Sequence, residues 1–297
     1  MHARPSSRPA NETRASRPKR VVSPHEQTKE PLMAPFRRTI RRHALTAAVA
    51  TAVAATTVYG VSAANATGSV PRSDKEIPNL TNVVNEIKAY YGDTVDGSGE
   101  HHASADSSYA RQVAGIEAKA KAYLRQSVRH TKPGKKPAIV LDVDDTSLLT
   151  YNYELEVGFN YTPASNDEYI QNKNMRAVFG MPDLVNWAAD QGVTVFWITG
   201  RPETQRAASV RNLAAVGYRS PADTAHLYLN TKAPTAYLPC SSPTYTCTTT
   251  EYKSGTRKHI ESLGYDITAN FGDQYSDLNG GYADRTFKLP NPMYYLP

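Results

Sequence analysis

The chain has 297 residues with 34 Lys+Arg against 28 Asp+Glu, a formal net charge of +6. That length accommodates one α/β domain with insertions, or two small domains. Eleven of the basic residues, against three acidic ones, fall within 1–66, which leaves 23 basic and 25 acidic residues for 67–297; the body of the chain is slightly acidic, and a nucleic-acid partner loses its main support.

Residues 1–32 are rich in Arg, Pro and Ser without an apolar period, the composition of a disordered extension, and Met33 is read as the true start. Arg37, Arg38, Arg41 and Arg42 precede an Ala-rich apolar run from Ala44 to Val61, which small residues follow up to Ala66. A charged start, an apolar middle and small residues before a cut are the parts of a secretory signal. Ala and Thr insert into bilayers less readily than Leu or Ile, so 33–66 is read as a cleaved signal with no stable membrane anchor. Arg41-Arg42 leaves the twin-arginine route open beside general export. The expected location is extracytoplasmic.

Leu80, Val83, Val84, Ile87 and Tyr91 then recur at helical spacing before a Gly92 stop. Residues 92–108, rich in Gly, Ser, Asp and His, read as an exposed loop. A second helix is expected over about 109–130, with Val113, Ile116, Ala120, Tyr123 and Leu124 on one face. These elements form a helical segment over 67–137.

From residue 138 the pattern becomes strand-then-helix. Ala138 to Leu141 is a short apolar run, as a strand buried on both faces requires. Helices are expected over 182–191, 203–216 and 253–263, the last beginning at Lys253, and strands over 193–198, 226–229, 267–271 and 286–289. This alternation implies an α/β domain over 138–297, with a mainly parallel sheet and helices on both faces. Residues 151–181 break the alternation and carry Tyr151, Tyr153, Phe159, Tyr161 and Tyr169. They are read as a small tyrosine-rich insertion near the sheet edge, placed to cover a site. Cys240 and Cys247 share a Pro/Ser/Thr-rich loop, and in an exported chain they are expected to form one local disulfide.

The residues with chemical capacity sit where strands end. Asp142, Asp144 and Asp145 follow the first strand, Thr199 the second, and Asp273 and Asp277 the fourth. In a parallel sheet all carboxyl ends lie on one edge, where ligands bind. Two like charges about 4 Å apart repel by about 4 kcal/mol at an effective dielectric near 20, so gathered carboxylates need a cation, a retained proton, or both. All-oxygen ligands favour Mg²⁺ over zinc or copper. Lys253 adds a fixed positive charge, and the set suits a phosphate group. A calcium-loop reading of 142–153 fails, because its sixth and twelfth positions hold Ser147 and Tyr153 where Gly and Glu are needed. The histidines at 101, 102, 130, 226 and 259 show no ligand spacing.

Ile139-Val140-Leu141-Asp142-Val143-Asp144-Asp145-Thr146 resembles the first motif of the haloacid dehalogenase (HAD) superfamily, DxDxT after a strand. Thr199 resembles the second motif, Lys253 the third, and Asp273 with Asp277 the fourth. Tyr252-Lys253-Ser254, Gly272-Asp273-Gln274 and Phe287-Lys288-Leu289-Pro290-Asn291-Pro292 are similar to the subfamily IIIB acid phosphatases, which include plant vegetative storage proteins. The resemblance implies a Rossmann-like fold and a hydrolase of phosphate monoesters working through an aspartyl-phosphate. It implies Asp142 as nucleophile and Asp144 as acid and base. Thr199 and Lys253 would act on the phosphoryl group, and Mg²⁺ would be held by Asp142, Asp144, Asp273 and Asp277. Thr146 and Arg201 are candidate supports for the loop and the phosphate, although a surface ion pair is the simpler reading of both Arg201 and Arg257. The implied partner is a small phosphomonoester, a nucleotide if the inserted tyrosines stack a base. A phosphotransferase or a non-catalytic storage protein would share the fold, and oligomeric state is not legible.

Overall fold

The computed structural model describes residues 78–296. The extension over 1–32, the proposed start at Met33 and the export signal over 33–66 lie outside them. Among the described residues no helix is long and apolar enough to cross a membrane.

The chain opens with α1 (Leu80–Tyr91), whose Asn79 side chain accepts from Asn82 N and whose end is a left-handed Gly92 at φ 62°. Glycine carries no Cβ penalty there, so the helix stops where the sequence predicts. The expected loop over 92–108 instead contains a two-stranded hairpin, β1 (Thr94–Val95) with β2 (His101–His102). Each strand is only two residues long, the first exposed and the second half-buried, too short for an alternating pattern to register in sequence. Helix α2 (Ser108–Ser127) follows, capped by Ser107 and continued by a 3₁₀ turn to His130.

The central sheet then begins with β3 (Lys136–Leu141). A minor hairpin strand β4 (Leu148–Leu149) leads into α3 (Tyr151–Glu156), α4 (Pro163–Asn172) and β5 (Arg176–Ala177), which pairs back on β4. The alternation resumes with α5 (Met181–Asp190), β6 (Thr194–Thr199), α6 (Arg206–Ala215) and β7 (Leu227–Leu229). It ends with α7 (Thr249–Ser262), β8 (Tyr265–Gly272), the single turn α8 (Tyr275–Leu278) and β9 (Thr286–Lys288). The sheet order is β7-β6-β3-β8-β9, and every pair in it is parallel.

Burial explains the continuous apolar runs. Along β3, Ile139 and Leu141 pack into one core with residues of α1, α2, α5 and α6, while Ala138 and Val140 face a second core with Tyr252 and Ile260 of α7. Strand β6 divides likewise, with Val195 and Trp197 on one side and Phe196 and Ile198 on the other. A strand covered by helices on both faces has no polar side to alternate. The tyrosines of the insertion belong mainly to the first core: Tyr151, Tyr153 and Tyr169 are buried, and Tyr161 alone is exposed.

Helix α7 starts four residues before the sequence expectation. Thr248 caps Glu251 N while the Glu251 carboxylate accepts from Thr248 N and Oγ1, a reciprocal capping box. Lys253 therefore lies in the second turn of α7, not at its first residue. The expected disulfide between Cys240 and Cys247 is present. It ties off the loop between β7 and α7.

Candidate active site

Three strand ends and one helix turn supply the candidate residues at the carboxyl edge of the sheet. Asp142 leaves β3 with its N–H bonded to Phe271 O of β8 at 3.1 Å. Its side chain accepts from Lys253 Nζ at 2.7 Å, and the same ammonium donates to Asp277 at 2.5 Å. Asp142, Asp273 and Asp277 each place a carboxylate oxygen within 4.8 Å of the others, and all three are buried. Asp142 and Asp273, 131 positions apart in the chain, meet because parallel strands share one exit edge.

Each carboxylate is held by its own donors. Asp273 accepts from Thr146 Oγ1 at 3.2 Å, from Gln274 Nε2 at 2.7 Å and from Asn291 Nδ2 at 2.8 Å. Asp277 turns back over its own turn and accepts from Gln274 N at 2.8 Å. Asp277 thus caps its own turn, while its other oxygen faces Lys253. The fold leaves no room behind Asp277: a Cβ added to Gly272, the last residue of β8, would overlap the Asp277 Cβ. Gly272→Ala is therefore expected to lower the unfolding free energy by about 1–3 kcal/mol, as overpacked buried sites do. Urea unfolding monitored by far-ultraviolet circular dichroism measures that cost, and an unchanged midpoint would count against the close approach.

Asp144 points elsewhere. Arg201 Nε and Nη2 donate to its two oxygens at 2.9 and 2.6 Å, a bidentate pair. The guanidinium is buried and is held in turn by Ser209 Oγ at 2.9 Å. The surface ion pair expected for Arg201 is therefore corrected to a buried clamp on the second aspartate of the motif. Arg257 is corrected too: it is fully buried and donates to the carbonyls of Asp277, Asn279 and Gly281, fixing the turn after Asp277. Thr199, fully buried at the end of β6, accepts from Arg201 N at 3.2 Å, which leaves its hydroxyl proton free of that bond.

Several supports carry no sequence signal strong enough to select them. Ser147 Oγ donates to Asp142 O at 2.7 Å and accepts from Trp197 Nε1 at 3.2 Å, tying the first motif to β6. Asp145 adopts φ 51°, in the left-handed region, and is held there by Thr150 Oγ1 and by Tyr294 Oη at 2.8 Å. Asn291 lies in the Pro-Asn-Pro stretch quoted above, and only the fold reveals that its amide reaches Asp273. The hairpin histidines are a smaller surprise. His102 stands within ligand reach of Asp96 and Glu100, yet Asp96 already accepts from Ser98, Glu100 N and His102, so the turn bonds to itself.

Electrostatics makes the cluster a candidate cation site. Burial pushes the Asp142 carboxyl well above the usual carboxylate range despite the opposing pull of Lys253. Burial, then the charges of Asp277 and Asp145, raises Asp273 to about 7. Burial would by itself lower Lys253, but Asp142 and Asp277 outweigh it and hold it charged. Three carboxylates gathered and buried beside one bonded ammonium must retain protons or accept a cation, and a divalent cation would relieve their crowding. The donors are all oxygens, which fits a hard ion such as Mg²⁺.

Residues 77–297 match the model of the HAD superfamily, subfamily IIIB (Acid phosphatase). The chain is 34% identical over 164 residues to acid phosphatase 1 of Solanum lycopersicum, covering 53% of this chain and 58% of that protein. It is 30% identical over 164 residues to vegetative storage protein 1 of Arabidopsis thaliana, covering 53% of this chain and 55% of that one. The chain thus spans less than two thirds of the length of these relatives. Among solved structures it resembles the class C acid phosphatase of Bacillus anthracis with tungstate bound, at a TM-score of 0.54 and 21% identity over 73% of this chain and 86% of that one.

Proposed function

Because the chain belongs to subfamily IIIB of the HAD superfamily, the acid phosphatases, we propose that it is an exported, Mg²⁺-dependent hydrolase of phosphate monoesters. The observation that carries this reading is the Lys253 ammonium bonded to both Asp142 and Asp277 beside Asp273.

In this mechanism an Asp142 oxygen attacks phosphorus, forming the Asp142 O–P bond as the bond to the alcohol oxygen breaks. Lys253 keeps Asp142 aligned and balances the charge gathering on the phosphoryl oxygens. Thr199 donates its hydroxyl proton to one of those oxygens. Asp144 gives a proton to the departing alcohol, then takes one from the water that cleaves the aspartyl-phosphate. In the resting chain Asp144 is turned to Arg201, so Arg201 acts here as a brace that must release one Asp144 oxygen. Asp142, Asp273, Asp277 and the Asp144 carbonyl would hold Mg²⁺, which when bound supplies positive charge to the phosphoryl group.

Asp142 also bears on the rival reading of a storage protein without activity, since it provides the nucleophile such a protein can do without. A phosphotransferase would differ only in the acceptor, and added alcohol would divert product from free phosphate. The nucleotide reading narrows to Tyr161, because the other inserted tyrosines are buried. It requires a nucleoside monophosphate to be cleaved faster than a sugar phosphate. Export is supported by the charged, apolar and small-residue pattern of 33–66.

Phosphate release from an aryl phosphate, before and after chelation, tests the metal requirement. Chelator is expected to abolish release, and Mg²⁺ to restore it. Mg²⁺ should also raise the melting temperature of the wild type but not of Asp273→Asn, because an ion bound only by the folded state stabilises it. Full activity in excess chelator would contradict the metal requirement.

A further inference from the structure

A cavity of about 130 Å³ lies between the end of β7, α7 and the disulfide-tied loop that joins them. Its walls include Tyr228, Asn230, Tyr237, Leu238 and Tyr252, with Arg206 at one end and the exposed Thr231 at the mouth. The engineered cavity that binds benzene is about 150 Å³, so one six-membered ring is the right scale.

The lining is preformed. Tyr237 stacks on His259 with ring centroids 4.0 Å apart, and Ser241 Oγ bonds both Thr235 and the Leu238 carbonyl to hold the loop above. Tyr252 is buried, at 2% exposure, and its hydroxyl has no hydrogen-bond partner in the protein. Buried hydroxyls are rarely left unpaired, so a group entering the cavity is the natural partner for this one.

Charge then selects the chemistry. The Arg206 guanidinium is already taken by Glu203, at 2.5 and 2.9 Å, and by Leu227 O at 2.9 Å. The cavity therefore offers no uncommitted positive charge to a phosphate or a carboxylate. What it offers is tyrosine side chains, an asparagine side chain and threonine hydroxyls. A sugar ring matches that set, because its C–H face packs on aromatic rings and its hydroxyl rim both donates and accepts.

We propose that this cavity binds a neutral polyhydroxylated molecule the size of one sugar ring, at a site separate from the carboxylate cluster. Tyr252 and Lys253 are neighbours in α7, and Asn230 N bonds to the carbonyl of Arg201 at 2.9 Å. An occupant would thus touch residues next in the chain, or bonded, to the site lysine and to the clamp on Asp144.

The test is calorimetric titration of the exported form with D-glucose and, separately, D-ribose. Saturable binding of at least one sugar is expected in the wild type, weakened about fivefold or more in Tyr252→Phe, which loses only the hydroxyl. Thr231→Trp, a change at an exposed mouth residue, should block binding without disturbing the core. Asp142→Asn should bind as the wild type does, which separates this site from the phosphatase reading. No saturable binding of either sugar, wild-type binding by Tyr252→Phe or Thr231→Trp, or loss of binding in Asp142→Asn would each overturn the proposal.

Discussion

Lys253→Met is expected to lower the unfolding free energy by about 3–5 kcal/mol at pH 7, the range seen when one partner of a buried ion pair is removed. The ammonium bonds Asp142 at 2.7 Å and Asp277 at 2.5 Å, and both carboxylates are buried. Methionine preserves most of the volume, so the loss is electrostatic more than steric. The cost also carries a pH signature. Burial already raises Asp142 well above its ordinary range, and removing Lys253 deletes the cation that opposes that rise. A carboxyl raised in the folded state binds more protons there than in the unfolded chain across the interval between the two values. Stability of the variant should therefore increase as pH falls through that interval towards the unfolded-state value of about 4, and decrease as pH rises. Chemical denaturation of wild type and variant from pH 4 to 8 measures this directly. A deficit that is constant across the range would mean that Lys253 contributes packing and not charge.

Asp142→Asn is expected to reduce phosphate release by about 10³-fold or more, equivalent to about 4 kcal/mol of barrier. An amide cannot accept the phosphoryl group and give a hydrolysable acyl phosphate, whereas its shape is nearly that of the carboxylate. Lys253 keeps Asp277 as a partner, and the buried negative charge of Asp142 is gone. The melting temperature of the metal-free variant should therefore equal or exceed that of the wild type. This opposite movement of activity and stability separates a nucleophile from a structural aspartate. Activity within tenfold of wild type would rule out the covalent route.

The architecture was legible because burial writes itself into strand composition. Ala138 to Leu141 and Val195 to Ile198 are apolar without a break since helices cover both faces of β3 and β6. Convergence of Asp142, Lys253, Asp273 and Asp277 followed from parallel topology alone. Positions set by side-chain direction were harder to read. Nothing in the spacing of Asp144 and Arg201 announces that a guanidinium buried beside Ser209 takes both carboxylate oxygens. Asn291 reaches Asp273, and Ser147 joins Asp142 to Trp197, through individual hydrogen bonds that leave no periodic trace. The start of α7 is legible in the sequence: Thr248-Thr249-Thr250-Glu251 is the pattern of a capping box, which begins the helix four residues ahead of Lys253. Residues 94–102 escaped because two-residue strands are too short for alternation to be seen.

Rapid acid quench during turnover of an aryl phosphate, followed by peptide mass spectrometry, asks where phosphorus rests between the two chemical steps. A hydroxylamine-sensitive acyl phosphate on the peptide containing Asp142, absent from Asp142→Asn, is the predicted result. Phosphate carried by a different residue, or steady turnover by an enzyme that never becomes phosphorylated, would contradict the account.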